Sequence, residues 1–132
     1  MSLALTLDFM YDTTVEKAWA ALTDSNKLAK WITDNDFKPV VGHRFQFRHQ
    51  PSEYWDGIVD GEVLVVEPPH TLSYSWATGD ERHTVTWTIK DLGDGKVNLH
   101  LEQTGFTNVY GLEGARHGWT AWFDKFEQVL GE

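Results

Sequence analysis

Thr84-Val85-Thr86-Trp87-Thr88-Ile89, a turn at Gly93-Asp94-Gly95, a second run from Val97 to Leu101, then Thr104-Gly105-Phe106 and a final helical pattern: this last quarter of the chain decides the fold. The two runs alternate apolar and polar residues and predict strands joined by a tight turn. The final pattern carries Leu112, Ala115, Trp119, Trp122, Phe123, Phe126 and Leu130 at helical spacing, a single broad apolar face. A helix with four large rings that follows strands must bury them against the sheet.

Upstream, Arg44-Phe45-Gln46-Phe47-Arg48 alternates strictly and predicts a strand with two rings on one face. Gln50 to Tyr54, polar and holding Pro51, reads as a loop, and Gly57 to Glu67 as a long strand rich in β-branched residues. After a turn at Pro68-Pro69, Leu72, Tyr74 and Trp76 form the inward face of the next strand, which ends in a turn from Ala77 to Asp80. At the N-terminus Leu3, Leu5, Leu7 and Phe9 alternate in a strand. Thr13 or Thr14 then caps a helix with Val15, Ala18, Trp19 and Leu22 on its apolar face. Asp24-Ser25-Asn26 interrupts, Lys27 to Ile32 makes a second short helix, and Thr33-Asp34-Asn35-Asp36 is loop chemistry.

The order is β-α-α-β-β-β-β-β-α without linker or repeat, so residues 1–132 are expected to form one domain. Strands joined by short turns make an antiparallel meander. The expectation is therefore an α+β fold of helix-grip shape. A curved antiparallel sheet wraps around the long C-terminal helix, and two short helices after the first strand close one end.

Eleven basic against twenty acidic residues give a net charge of −9, with no Lys/Arg cluster, so neither nucleic acid nor an anionic membrane is an expected partner. The absence of cysteine excludes disulfides, thiolate nucleophiles and zinc–thiolate sites. The first eight residues lack the basic segment and apolar run of a signal peptide, and no stretch reaches the length of a membrane span. A cytoplasmic location is expected. Seven Trp, seven Phe and four Tyr predict a ring-rich interior.

Trp19-Ala20-Ala21-Leu22-Thr23-Asp24 followed by Leu28-Ala29-Lys30-Trp31 resembles the opening of the START-like (SRPBCC) superfamily. Gly42-His43-Arg44-Phe45-Gln46-Phe47 and Gly61-Glu62-Val63-Leu64-Val65-Val66-Glu67-Pro68-Pro69 are similar to segments of the branch named after the activator of the heat-shock-protein-90 ATPase. Leu72 to Trp76, Thr84 to Ile89, Thr104-Gly105-Phe106 and Gly118-Trp119 continue the likeness, which covers nearly the whole chain. The resemblance implies the helix-grip fold with a cavity between sheet and helix. It also implies functions of several classes: binding of lipids, sterols, polyketides or hormones in most members, cyclase or hydrolase activity in a minority, and a co-chaperone role for the branch's namesake.

Within that fold the ring set Trp31, Phe37, Phe45, Phe47, Tyr74, Trp76, Trp87, Phe106 and Tyr110 is the expected ligand lining, with the hydroxyls of Tyr74 and Tyr110 as its polar groups. Gly111, Gly114 and Gly118 recur at i, i+3 and i+7 on one face of the last helix. Glycine inside a helix costs about 1 kcal/mol relative to alanine. Two readings offset that cost. The glycines thin the helix so that a ligand lies against it, or they admit rings such as Trp76 or Trp87 from the sheet. The loops from Thr33 to Val41 and from Gln50 to Asp56 are candidate gates.

The histidines, His43, His49, His70, His83, His100 and His117, form no helical i, i+4 pair and read for the most part as surface groups, so no metal is expected. The chain holds no nucleophile elbow, phosphate loop or dinucleotide fingerprint, and no cofactor is expected. If chemistry occurs, Glu113, His117 and Arg116, with Tyr110 as a proton donor, are the best acid–base candidates, but no catalytic residue is assigned. The expected partner is a small hydrophobic or amphipathic molecule. A cyclase- or hydrolase-type enzyme and a protein-interaction module remain alternatives, and dimerisation through a sheet edge or the helix end stays open.

Overall fold

The structure is a computed structural model that describes residues 3–51, 53, 56–78 and 81–130. In chain order it contains β1 (Leu3–Asp12), α1 (Val15–Thr23), α2 (Ser25–Trp31), β2 (Asp34–Asn35), β3 (Arg44–Arg48), β4 (Ile58–Glu67), β5 (Thr71–Thr78), β6 (Glu81–Gly93), β7 (Lys96–Phe106) and α3 (Val109–Leu130). The strands form one antiparallel sheet in the order β1-β7-β6-β5-β4-β3-β2. This is the expected α+β helix-grip arrangement, with the two short helices after the first strand and the long helix at the end.

Alternation along the strands decides which side chains reach the core. On β6 the buried residues are His83, Val85, Trp87 and Ile89, and on β7 they are Val97, Leu99, Leu101, Gln103 and Phe106. Both strands run further than their most strongly patterned stretches suggest, and the added residues prove important below. The loop at residues 33–36 contains a two-residue strand, β2, paired with β3. Asn35 makes this possible: its Nδ2 donates to the carbonyls of Thr33 and Ser25, and its Oδ1 accepts from the Phe37 N–H at 3.0 Å. Local amide chemistry thus directs Phe37 inward.

The helices begin where their caps allow. The Thr14 hydroxyl accepts from the Lys17 N–H at 3.2 Å, and the Asp24 carboxylate accepts from both Asn26 and Lys27, so α2 starts at Ser25 rather than Lys27. A cap of this kind is worth about 1 kcal/mol. Asn108 serves α3 in the same way, accepting from the Gly111 N–H at 2.9 Å.

Two glycines permit close approaches in the sheet. A side chain at Gly61 would overlap the Phe45 ring and the Ser75 carbonyl, so only glycine lets that ring lie across β4. Gly105, at φ +105°, occupies the irregularity between β1 and β7 where Leu3 pairs with Phe106 and Ala4 with Thr104. A Cβ there would stand 2.6 Å from the Arg82 carbonyl oxygen, and its absence brings β7 tight against β6 beside His83.

Helix α3 is anchored mainly at its C-terminal half. Phe123 packs on Phe9 of β1 (ring centroids 4.2 Å apart), and Phe126 packs on Tyr11 (5.2 Å) and on Trp31 of α2 (4.9 Å). Phe126 is fully buried, and burial of such a ring contributes about 1.5–3 kcal/mol. The Tyr11 hydroxyl reaches the Phe123 carbonyl at 3.4 Å, and burial pushes that phenol's pKa upward.

Candidate functional site

The interior between sheet and α3 has two halves. In the first, rings fill the space themselves. Phe37 packs edge-on against Phe45 (5.0 Å) and Tyr74 (5.8 Å), and Phe45 against Phe47 (5.2 Å), while Trp31 meets Trp87 edge-on at 6.0 Å. Their polar atoms are met within the protein. Trp31 Nε1 donates to the Ala21 carbonyl at 2.8 Å, and Trp87 Nε1 donates to the Tyr74 hydroxyl at 2.9 Å. Burial drives the Tyr74 pKa upward, which keeps its hydroxyl neutral inside this wall.

The second half, beside the N-terminal part of α3, is open. A cavity of about 410 Å³ lies between the helix stripe Gly111, Gly114, Ala115, Gly118, Trp119 and Trp122 and residues of the sheet. The sheet contributes Val59, Trp76, Thr78, Glu81, His83, Gln103 and Phe106, and His49 borders the opening. This is the volume range of small-molecule sites, mostly apolar with a few polar groups. Apart from its sequence neighbours and the backbone of its own helix, no heavy atom stands within 4 Å of where a Cβ would project from Gly114 or Gly118. The space their missing side chains leave is not taken up by rings from the sheet. Of the two readings of the glycine stripe, the geometry favours a thinned helix.

Of the residues expected to line a ligand, the structure brings Trp76, Phe106, Gly114 and Gly118 together around this cavity. Trp31, Phe37, Phe45, Phe47, Tyr74 and Trp87 lie instead in the packed half, where each is at most 3% exposed. Tyr110 is 86% exposed on the outer side of α3 and lends no hydroxyl to the cavity. The loop from Thr33 to Val41 closes the packed half through Phe37. Of the loop from Gln50 to Asp56, Ser52, Tyr54 and Trp55 lie outside the described residues. Glu113, Arg116 and His117 are exposed and none lines the cavity; Glu113 and Arg116 approach each other at 3.6 Å.

The cavity's polar group is a chain of three side chains. Trp119 Nε1 donates to Gln103 Oε1 at 2.8 Å, and Gln103 Nε2 lies 2.8 Å from His83 Nδ1. An indole N–H can only donate, so Gln103 must turn its oxygen to Trp119 and its NH2 to the imidazole. His83 Nδ1 is therefore the acceptor, and the ring's proton resides on Nε2. Burial lowers the His83 pKa, against a smaller opposing effect of Glu81, so the ring is neutral near pH 7.

His83 thus corrects the surface reading of the histidines: it is 7% exposed and belongs to the inner face. Sequence reasoning passed over His49, Val59, Thr78, Glu81, Ala115, Trp119 and Trp122 as lining, and with them His83 and Gln103. For the last two the signal was present. Carrying the alternation of Val85, Trp87 and Ile89 one step back reaches His83, and carrying that of Val97, Leu99 and Leu101 one step forward reaches Gln103.

The apolar walls interlock. Trp119 contacts Trp76 (5.4 Å), Trp87 (5.3 Å) and Trp122 (5.0 Å), His49 stacks on Trp122 with the planes 2° apart, and Phe106 covers His83 at 4.3 Å. A larger hollow of about 680 Å³ on the outer side of β3 to β5 is bordered by Arg44, Gln46, Asp60, Glu62 and Arg82. Gln46 donates to Asp60 and Arg44 pairs with Glu62, as on any solvated sheet face. Among the described residues no group of three His, Asp or Glu is placed to hold a metal ion, and no helix is long and apolar enough to cross a membrane.

Residues 12–131 match the family described as Activator of Hsp90 ATPase homolog 1-like protein. The chain belongs to that family. The protein MLL2253 from Mesorhizobium loti is 35% identical and superposes with a TM-score of 0.87 over 98% of this chain and 97% of that one. CalU16 from Micromonospora echinospora shares the fold at 23% identity and a TM-score of 0.82, over 98% of this chain and 76% of that one. BH1534 from Bacillus halodurans does so at 23% and 0.79, over 97% and 96%. None of the curated proteins matches the chain. As a member of this START-like family, the protein carries a shared fold on which the lining of its own cavity, rather than its ancestry, has to supply specificity.

Proposed function

We propose that this protein binds a small hydrophobic or amphipathic molecule in the cavity between the sheet and the N-terminal half of α3. The open space facing Gly114 and Gly118 carries this reading. A helix that gives up side chains at two interior positions loses stability, and here no packing from the sheet makes up the loss. A ligand seated against the bare backbone does. Trp76, Trp119, Trp122 and Phe106 supply apolar area, at about 25 cal/mol for each Å² removed from water. The cysteine-free composition suits a cytoplasmic binder.

Thermal-shift assays against fatty acids, sterols, flavonoids and aromatic polyketides test the reading. A ligand at 100 times its Kd stabilises the fold by about 2.7 kcal/mol. Gly118→Leu, which projects a side chain into the cavity, is expected to abolish the shift while the variant stays folded. A shift that persists undiminished in Gly118→Leu places binding elsewhere and overturns the proposal.

A further inference from the structure

We propose that His83 is a ligand-binding residue whose Nε2–H donates a hydrogen bond to an uncharged acceptor oxygen, of the aryl-ketone kind, on an aromatic molecule held in the cavity. This rests on the cavity reading above and narrows it to a ligand class.

The argument begins with an unmet donor. The Trp119–Gln103–His83 chain leaves the imidazole proton on Nε2, and Nε2 is buried with no hydrogen-bond partner among the described residues. The His83 side chain is 6% exposed. Buried polar atoms are nearly always paired, so an orphan on a cavity wall asks for a partner from outside the fold. The nearest acceptor, Glu81 Oε2, stands 3.6 Å away, beyond hydrogen-bond reach. It is held there by its own neighbour, because the Thr107 hydroxyl donates to Glu81 Oε1 at 2.6 Å. A ligand that bonds Nε2 has to displace the Glu81 side chain, which is about a third exposed, from its bond to Thr107.

The surroundings specify the acceptor. His83 is flanked by the Phe106 ring and pairs across the sheet with Trp76, so a flat aromatic body fits beside it. Among the described residues, the titratable groups that border the cavity are His49, Glu81 and His83. With the Glu81 carboxylate adjacent and no Lys or Arg in the lining, an anionic head group such as a fatty-acid carboxylate meets repulsion and no counter-charge. A neutral carbonyl oxygen accepts from Nε2–H without either cost.

The test compares 2-acetylnaphthalene with 2-isopropenylnaphthalene, which have the same shape but carry C=O in one case and C=CH2 in the other. Both are titrated into the full chain by isothermal calorimetry. The wild type is expected to prefer the ketone by about two- to tenfold, the worth of one net hydrogen bond. In His83→Asn, which keeps an acceptor toward Gln103 and loses the donor at Nε2, the ratio of ketone to alkene affinity is expected to fall to one or below, because an unpaired carbonyl is costly to bury, whatever the change does to both affinities together. His83→Gln, which restores an N–H at that position, is expected to regain it. A measurement on the unmodified protein guards against variants that fail to fold: the Nε2 proton resonance of His83 moves downfield with the ketone and not with the alkene. Equal binding of the two probes by the wild type, an unmoved proton, or a preference that survives His83→Asn overturns the role of His83 while the cavity stands. If neither probe binds, the cavity reading falls and this inference falls with it.

Discussion

The indole N–H of Trp119 decides where the proton resides on His83, because each ring is held 2.8 Å from an opposite end of the Gln103 amide. Trp119 comes from the helix, Gln103 and His83 from neighbouring strands. The chain therefore ties α3 to the sheet at the one level where aromatic packing between them gives way to open space. It also converts an ordinary histidine into a fixed neutral donor.

Gln103→Glu tests that chain. A carboxylate still accepts from Trp119, but it now favours a protonated Nδ1 on His83. The pKa of His83 is expected to rise above its wild-type value, read from the pH titration of its Cε1 proton by NMR. An unchanged titration would show that Gln103 does not set the tautomer. Gln103→Leu removes both bonds and strands the Trp119 N–H, at a cost on the order of 2–4 kcal/mol in urea unfolding.

Stability should fall as the solution is made mildly acidic. Burial holds the pKa values of His83 and His49 below their ordinary value of 6.5. Below pH 6.5 the unfolded chain takes up protons that the folded sites refuse, so the unfolded state gains until the depressed folded pKa values are reached. Above about pH 7 neither state is protonated and this contribution is flat. Asp8, held low by hydrogen bonds from Asn98 and His100, acts only below 3.8 and stays outside the window. The urea midpoint is expected to drop between pH 7 and pH 5, and less so in His83→Gln. A midpoint that rises with acid would contradict a neutral buried His83.

The glycines make opposite predictions according to what faces them. Gly114→Ala and Gly118→Ala place a methyl group in open space and improve helix propensity, so each is expected to stabilise the protein by about 0.5–1 kcal/mol. Gly61→Ala forces a methyl group into the Phe45 ring and the Ser75 carbonyl, and is expected to destabilise by about 1–3 kcal/mol or more. Thermal melts of the three variants decide. Loss of stability in both helix variants would mean that rings do press on the stripe.

Tyr74→Phe separates the packed half from the open one. It leaves the buried Trp87 N–H without its acceptor, at a cost of about 1–3 kcal/mol. Because Tyr74 does not line the cavity and meets its lining only through Trp87 and Phe47, affinity for a cavity ligand is expected to fall much less than stability does. A large loss of affinity at unchanged stability would return Tyr74 to the binding site.

The architecture was legible in the chain because burial writes itself as period. Alternation at Leu72-Tyr74-Trp76 and Val85-Trp87-Ile89 makes strands with one inner face, and the spacing of Trp119, Phe123 and Phe126 makes a helix that must cover them. The start of α1 was nearly as legible, since Thr14 is a cap residue by chemistry, whereas Asp24, expected in an interruption before Lys27, is itself the cap of α2. Even the glycine stripe announced itself by its cost.

Which inward rings fill the interior and which border a void was not legible. Trp76 and Trp87 both lie on the inner face of neighbouring strands, at different levels of the sheet, yet only Trp76 reaches the cavity. The difference lies in the gap between helix and sheet at each level, which no local pattern records. Phe123 and Phe126 close that gap at one end of α3 by wedging against Phe9, Tyr11 and Trp31, and the bare backbone of Gly114 and Gly118 keeps it open at the other. The period of the sequence determined which side chains face inward. Only the tertiary structure decided how far apart the two inner surfaces stand, because that distance is set by contacts between residues remote in the chain.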